Sequence, residues 1–268
     1  MSRFRMTARL GTAGAAYSGW GLACAGLLLG ASLACAVLAP AAWLAQVVMA
    51  WSQGYVRLLN PEGTVWNGSA IVALAAGVQG AEMQALPSRW QWRMRPIWWG
   101  MDARISADCC APQPLHAQLT YTGIRMPTAT VQLPLTVLQG WGAPWNTLGL
   151  QGKAKVLWSD LSVGWSGPLR RMDGTVELMA EAVSTKLSTL PDIGSYRIVV
   201  TGGAQPQLAL ATLRGALQLS GEGRWEQQQF RFEGQGAAAP ECAAALTNVL
   251  TLMGEQRGTI TTIRLGSV

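Results

Sequence analysis

Ser88-Arg89-Trp90-Gln91-Trp92-Arg93-Met94-Arg95 alternates without a break: Trp90, Trp92 and Met94 fall on one side of an extended chain, and Arg89, Gln91, Arg93 and Arg95 on the other. Side chains of a β-strand leave opposite faces in turn, so this two-residue period predicts a strand with one apolar and one basic face. Neighbouring segments repeat the pattern: Met101, Ala103, Ile105 and Ala107, then Leu115, Ala117, Leu119 and Tyr121. It returns at Val176 and Leu178, Leu217 and Leu219, and Phe230 and Phe232. Prolines at 87, 96, 112, 114, 127, 134, 144, 168, 191, 206 and 240 leave little room for long helices between them. Many short strands with Gly- and Pro-rich turns predict a mainly β, antiparallel sheet over residues 61–268.

A loose internal echo points the same way. Gly63-Thr64-Val65-Trp66, Gly152-Lys153-Ala154, Gly174-Thr175-Val176, Gly215-Ala216-Leu217 and Gly258-Thr259-Ile260 each read as a glycine opening a strand. The echo suggests a sheet grown from similar hairpins in two halves, 61–140 and 148–268. One helix interrupts it near the end of the chain. Pro240 and Glu241 suit a first turn, Cys242, Leu246, Val249, Leu250 and Met253 form an apolar stripe, and Gly254 is a stop.

Upstream of the sheet the pattern changes twice. Residues 10–56 contain no Asp, Glu, Lys or Arg, more than the roughly 20 residues a helix needs to cross a bilayer. The spanning segment is placed at 20–43, with Trp20 and Trp43 at the two interfaces. Arg3, Arg5 and Arg9 make residues 1–19 a basic, cytoplasmic N-terminus by the positive-inside rule and put the rest of the chain on the other side. A cleaved signal peptide, with Ala34-Cys35-Ala36 as its site, is the competing reading. The apolar run before it exceeds the roughly 7 to 15 residues of a signal core, which favours a retained anchor. Leu44, Val47, Val48, Trp51, Tyr55, Leu58 and Leu59 then recur at three- and four-residue steps, predicting an amphipathic stem helix over 44–60 that ends at Asn60-Pro61.

Composition excludes several function classes. The chain of 268 residues is 50% hydrophobic and only 13% charged, unlike a disordered segment or a free cytosolic enzyme. The net charge of +6 owes half its excess to the three N-terminal arginines, too even a balance elsewhere for a nucleic-acid partner. His116 is the single histidine, which removes any mechanism that needs two imidazoles. It sits in Leu115-His116-Ala117-Gln118 with no Gly-x-Ser-x-Gly elbow in the chain, so a Ser-His-Asp hydrolase is disfavoured. Asp102 and Asp108 lie about 20 Å apart along one predicted strand, too far for a shared acid–base site. There is no Walker loop, and Gly202-Gly203 reads as a turn.

Cysteines are more informative. Cys24 and Cys35 fall in the apolar anchor, whereas Cys109, Cys110 and Cys242 fall beyond it, in an oxidising compartment if that side is a periplasm. Neighbouring cysteines on an extended strand point to opposite faces, so the expected bond runs from Cys242 to Cys109 or Cys110, leaving one thiol over. A metal site at Cys109, Cys110 and His116 lacks a Cys-x-x-Cys pair and a fourth ligand.

An anchor, a stem and then Gly63-Thr64-Val65-Trp66-Asn67-Gly68-Ser69-Ala70, followed by Leu86-Pro87-Ser88-Arg89-Trp90-Gln91-Trp92, resemble the N component of the bacterial type II secretion system. In that family a Gly-Thr-aliphatic-Trp-x-Gly-x-Ala element precedes a Trp-bearing strand, and residues 246–254 resemble its closing helix. Gly63, Thr64, Trp66, Gly68 and Trp90 carry the likeness. It implies a single-pass inner-membrane protein with its bulk in the periplasm, supporting export of folded proteins through contacts with the outer-membrane secretin or inner-membrane platform subunits. It implies no enzyme activity and no cofactor. The expected sheet is curved, a β-groove of the AsmA-like type, and an AsmA-like lipid-handling protein, which shares the glycine–tryptophan element, stands as the alternative function. Within the secretion reading, Trp66 and Trp90 pack the concave or helix-covered face of the sheet while Arg89, Arg93 and Arg95 offer a basic edge to a partner.

Overall fold

The computed structural model describes residues 16–78, 80–165, 171–226 and 229–266. The chain divides into two compact units, Met1–Ala39 and Pro40–Val268. The first contains helix α1, Ala16–Val37. Its segment Trp20–Val37 is long and apolar enough to cross a membrane, and none of it is buried against protein. A core helix of a soluble domain would be buried. The helix ends before Pro40, which caps a second helix instead, so Trp43, expected at the end of the anchor, belongs to the next unit.

The second unit begins with α2, Ala41–Trp51. The stem helix expected over 44–60 stops here, because Gln53 (φ 52°) and Gly54 (φ 81°) turn the chain through the left-handed region. Leu58 and Leu59, which continued the helical spacing by coincidence, lie in the first strand. That strand is β1, Val56–Gly63, followed by β2, Asn67–Ala75, β3, Met83–Ile97, β4, Gly100–Ala107, β5, Leu115–Thr120, β6, Gly123–Met126, and β7, Ala129–Pro134. Past a 3-10 segment (Leu135–Trp141) and the short helix α3, Trp145–Leu148, come β8, Gln151–Gly164, β9, Arg171–Ser184, and β10, Gly194–Thr201. Next are β11, Gln207–Arg214, β12, Leu217–Glu226, and β13, Gln229–Ala238; then helix α4, Ala243–Met253, and finally β14, Glu255–Arg257, and β15, Ile260–Leu265.

All fifteen strands form one open antiparallel sheet, in chain order apart from two departures. β7 pairs with β8 alongside β6, and β15 inserts between β13 and β14. Consecutive antiparallel strands reverse direction, so the turns at 64–66, 98–99, 121–122 and 202–206, and Trp165 at the end of β8, all lie at one end of the sheet. Pro40 is bridged to Thr64, so the chain enters the unit at this same end. The five echo glycines prove to be backbone reversals or bulges rather than uniform strand starts. Gly63, Gly152, Gly174, Gly215 and Gly258 all have positive φ, but Gly63 closes a strand and Gly174 lies inside one.

The sheet curls. β3 and β8 are four places apart in the strand order, about 19 Å in a flat sheet. Yet Leu86 of β3 and Trp158 of β8 share one buried cluster with Val137 of the 3-10 segment. The segment fits because Gly140 lies against the Leu74 carbonyl, where a Cβ would come within 2.2 Å. A second cluster gathers Leu135, Ala154, Val183, Tyr196 and Leu217 under Leu246, Val249 and Leu250 of α4, as the apolar stripe of that helix predicts. The Tyr196 hydroxyl donates to the Leu217 carbonyl at 3.1 Å. Burial, and to a lesser degree the nearby Asp192 charge, push its pKa upward, so it stays a neutral donor.

Candidate interaction surface

The corner where α2 meets the sheet is built by the glycine–tryptophan element. The Thr64 amide donates to the Asn67 carbonyl at 2.9 Å and the Thr64 hydroxyl accepts from the Asn67 amide at 3.1 Å, closing the β1–β2 turn. Gly63 has φ 83°, and a Cβ there would approach the Asn67 carbonyl oxygen to 2.5 Å. A Cβ on Gly68 would meet the Trp92 ring at 2.7 Å. The tryptophan that locks the corner is therefore Trp92. Its indole N–H points at the carbonyls of Val65 (3.0 Å) and Thr64 (3.3 Å), and its ring packs with Ala41 of α2 and Ala70 of β2. Trp90 packs against the neighbouring cluster that includes Leu86 and Trp158. Trp66 lies half-buried in the turn, its carbonyl accepting from the Met94 amide at 2.7 Å. Sequence reasoning singled out Trp66 and Trp90, and the signal for Trp92 was the alternation itself.

On the opposite face of β3 the three expected arginines separate. Arg89 pairs with Glu62 at 2.7 Å and also donates to Ser69 and the Asn60 carbonyl, so its charge is already met inside the corner. Arg93 and Arg95 are exposed, and neither has an ion pair among the described residues. The pairing of β3 with β4 sets Arg93 directly opposite Arg104, and that of β4 with β5 sets Arg104 opposite His116. Two guanidinium groups facing one another across a ladder oppose folding. The next row runs Arg95, Asp102, Gln118 and Arg125. This face is thus more basic than β3 alone showed, and His116 stands beside a cation instead of the carboxylate a triad would need.

The cysteine expectation is corrected. Residues 108–110 form a turn after β4, so the strand argument against neighbours bonding does not apply, and Cys109 and Cys110 are joined to each other. Cys110 is buried beside Leu115 and Trp158, while Cys242 is a free thiol packed against the α4 cluster. The two belong to different cores. The Cys110 carbonyl accepts from the Gln132 amide of β7 at 2.7 Å, tying this turn to β7. Peptide mapping without reduction is expected to find one fragment holding both Cys109 and Cys110, lighter by a pair of hydrogens, with Cys242 open to alkylation. A fragment cross-linked through Cys242 would contradict this pairing.

Chemistry elsewhere is sparse. A shallow hollow of about 320 Å³ along β11, β12 and β13, lined by Thr212, Leu219, Ser220, Gln235 and Ile260 among others, carries no titratable side chain. Among the described residues no three His, Cys, Asp or Glu side chains are grouped to hold a metal ion. What the unit offers is a fixed corner, a basic sheet face and an uncovered rim of hairpins. Residues 54–262 match the family model of type II secretion system protein N. No match is found among curated proteins or solved structures.

Proposed function

Because the chain belongs to the type II secretion system protein N family, we propose that it is a membrane-anchored structural subunit of that system, supporting export of folded proteins by protein–protein contact. α1 is its anchor in the inner membrane, with Arg3, Arg5 and Arg9 on the cytoplasmic side and the sheet in the periplasm. The interior of the curl is occupied by Val137, Leu135 and the apolar stripe of α4. A lipid conduit would need that space, so the filling supports the contact reading over the groove reading.

The observation that carries the partner surface is the facing pair Arg93 and Arg104, both exposed and without an ion pair among the described residues. Like charges held together in this way lose their mutual repulsion when an anionic surface covers them. The partner is therefore an acidic face on another secretion component, with the periplasmic region of the outer-membrane secretin first and the platform subunits second. Arg95 belongs to the same surface and Arg89 does not.

The test is co-purification of the secretion complex with Arg93, Arg95 and Arg104 changed together to Ser. At roughly 0.5 kcal/mol for each exposed charge, the triple change weakens association about tenfold at low salt, and high salt shrinks the difference from the parent. Arg89→Ser should reduce stability more than binding. If the folded triple variant binds as well as the parent at low salt and still supports secretion, the basic face is not the contact.

A further inference from the structure

We propose that two neighbouring hairpin tips, carrying Trp98, Trp99 and Tyr121, with Trp165 beside them at the end of β8, seat the sheet on the phospholipid surface of the membrane that α1 enters. The tips are level with one another. Ile97 pairs with Gly100, Gly100 with Thr120, Thr120 with Gly123, Gly123 with Gly164, and Gly164 with Arg171. This is a single row across six strands with no register offset, and Trp98, Trp99, Tyr121 and Trp165 all lie just past it. Trp98 is 95% exposed, Tyr121 81%, Trp99 59% and Trp165 41%. Trp165 is held to the adjoining tip, its indole N–H donating to the Tyr121 carbonyl at 2.9 Å and its amide to the Thr122 carbonyl at 3.0 Å.

Composition separates this rim from the rest of the unit. Residues 96–101, 119–124 and 161–165 contain no charged side chain, and Arg171, which ends the row beside Gly164, is paired with Asp173 at 3.0 Å. The next hairpin at the same end, 202–206, has no aromatic residue, and the turns at the opposite end carry Glu82, Asp108, Lys186 and Asp192. Exposed tryptophan and tyrosine without charges are unfavourable toward water and favourable at the headgroup level, where the ring is apolar and the N–H or O–H stays wet. The tips go no deeper, because unpaired turn backbone is too costly in hydrocarbon.

Chain connectivity names the occupant. The unit is entered at Pro40, bridged to Thr64 at this end. The Thr64 turn lies beside Met94, whose amide donates to Trp66, three residues or about 10 Å along β3 from the row. Leu38, Ala39 and Pro40 can span about the same distance. The link between the apolar helix and the sheet is therefore long enough for the aromatic row to reach the bilayer that the helix crosses. The inference rests on α1 being the membrane anchor, as proposed above, but not on any secretion partner, since lipid alone is the ligand here.

The full chain in nanodiscs of phosphatidylcholine and phosphatidylglycerol, with plain or brominated acyl chains, provides the test. The emission lost in W98F/W99F identifies the signal of those two tryptophans while leaving the rim apolar. That signal is expected to be quenched in brominated discs and shielded from aqueous iodide. The emission lost in W145F, from the opposite end of the sheet, should show the reverse. If the Trp98 and Trp99 signal is equal in plain and brominated discs and open to iodide, the proposal is wrong. Shielding that arises only when other secretion components are added would assign the rim to a protein and overturn it equally.

Discussion

Changing Trp92 to alanine is expected to remove about 3–5 kcal/mol of stability, the range for emptying a buried aromatic site. Trp92 is 6% exposed and stands where three elements meet, against Ala41 of α2, Ala70 of β2 and the turn that holds Thr64. The packing here is tight: a Cβ on Gly68 would meet the Trp92 ring and the Glu62 and Thr64 carbonyl oxygens, each at 2.7 Å. The indole N–H also serves the Thr64 and Val65 carbonyls, so Trp92→Phe, which keeps most of the packing, should cost about 1 kcal/mol. For a unit of this size the alanine change corresponds to a fall of about 10 °C in the unfolding midpoint. Trp66→Ala, in the same turn but half-buried, should cost less. A Trp92→Ala protein melting with the parent would mean that the corner is held by something other than this ring. Because the corner fixes α2 and Pro40 to the sheet, secretion should fail in the Trp92→Ala strain even where the protein accumulates.

Leu246→Ala is the second large effect, expected at about 3–4 kcal/mol. Leu246 is fully buried and, with Val249 and Leu250, joins α4 to residues from β8, β9, β10 and β12. Alanine is at least as good a helix former as leucine, so the loss is packing alone. Thr247, one residue on, faces solvent, and its hydroxyl donates to the Ala243 carbonyl of its own helix, so Thr247→Ala should stay within about 0.5 kcal/mol of the parent. Loosened docking of α4 should also speed alkylation of Cys242, which packs beside that cluster. Thermal unfolding and thiol labelling of the two variants give both numbers. Equal behaviour of Leu246→Ala and Thr247→Ala would show that α4 does not seal this end of the sheet.

How much of this was legible in sequence depends on the range over which each feature is decided. The alternation from Arg89 to Arg95 and the stripe from Leu246 to Met253 depend on a period within one element, and both elements formed as read. The stem helix failed because Leu58 and Leu59 fit a helical spacing equally well, and the stop came from Gln53, a residue with no particular preference for positive φ. The cysteine pairing failed because it assumed a strand where residues 108–110 turn. Arg104 could have been found by counting back from a two-residue turn at Trp98-Trp99, but nothing in that pair of residues signals a turn.

By itself the sequence determined the apolar helix, the antiparallel sheet, the closing helix and the family likeness, since periodicity, charge-free length and local motifs are properties of contiguous residues. Only the tertiary structure decided which arginines lack an ion pair among the described residues, which tryptophan locks the corner and which hairpin tips share a level. Arg89 looked the same as Arg93 until the turn after β1 brought Glu62 to it, 27 positions away in the chain. Trp98, Tyr121 and Trp165 became one rim only when five successive pairings fell into a single register. Register comes from burying one face of every strand together, a cooperative outcome that no single segment of the chain encodes.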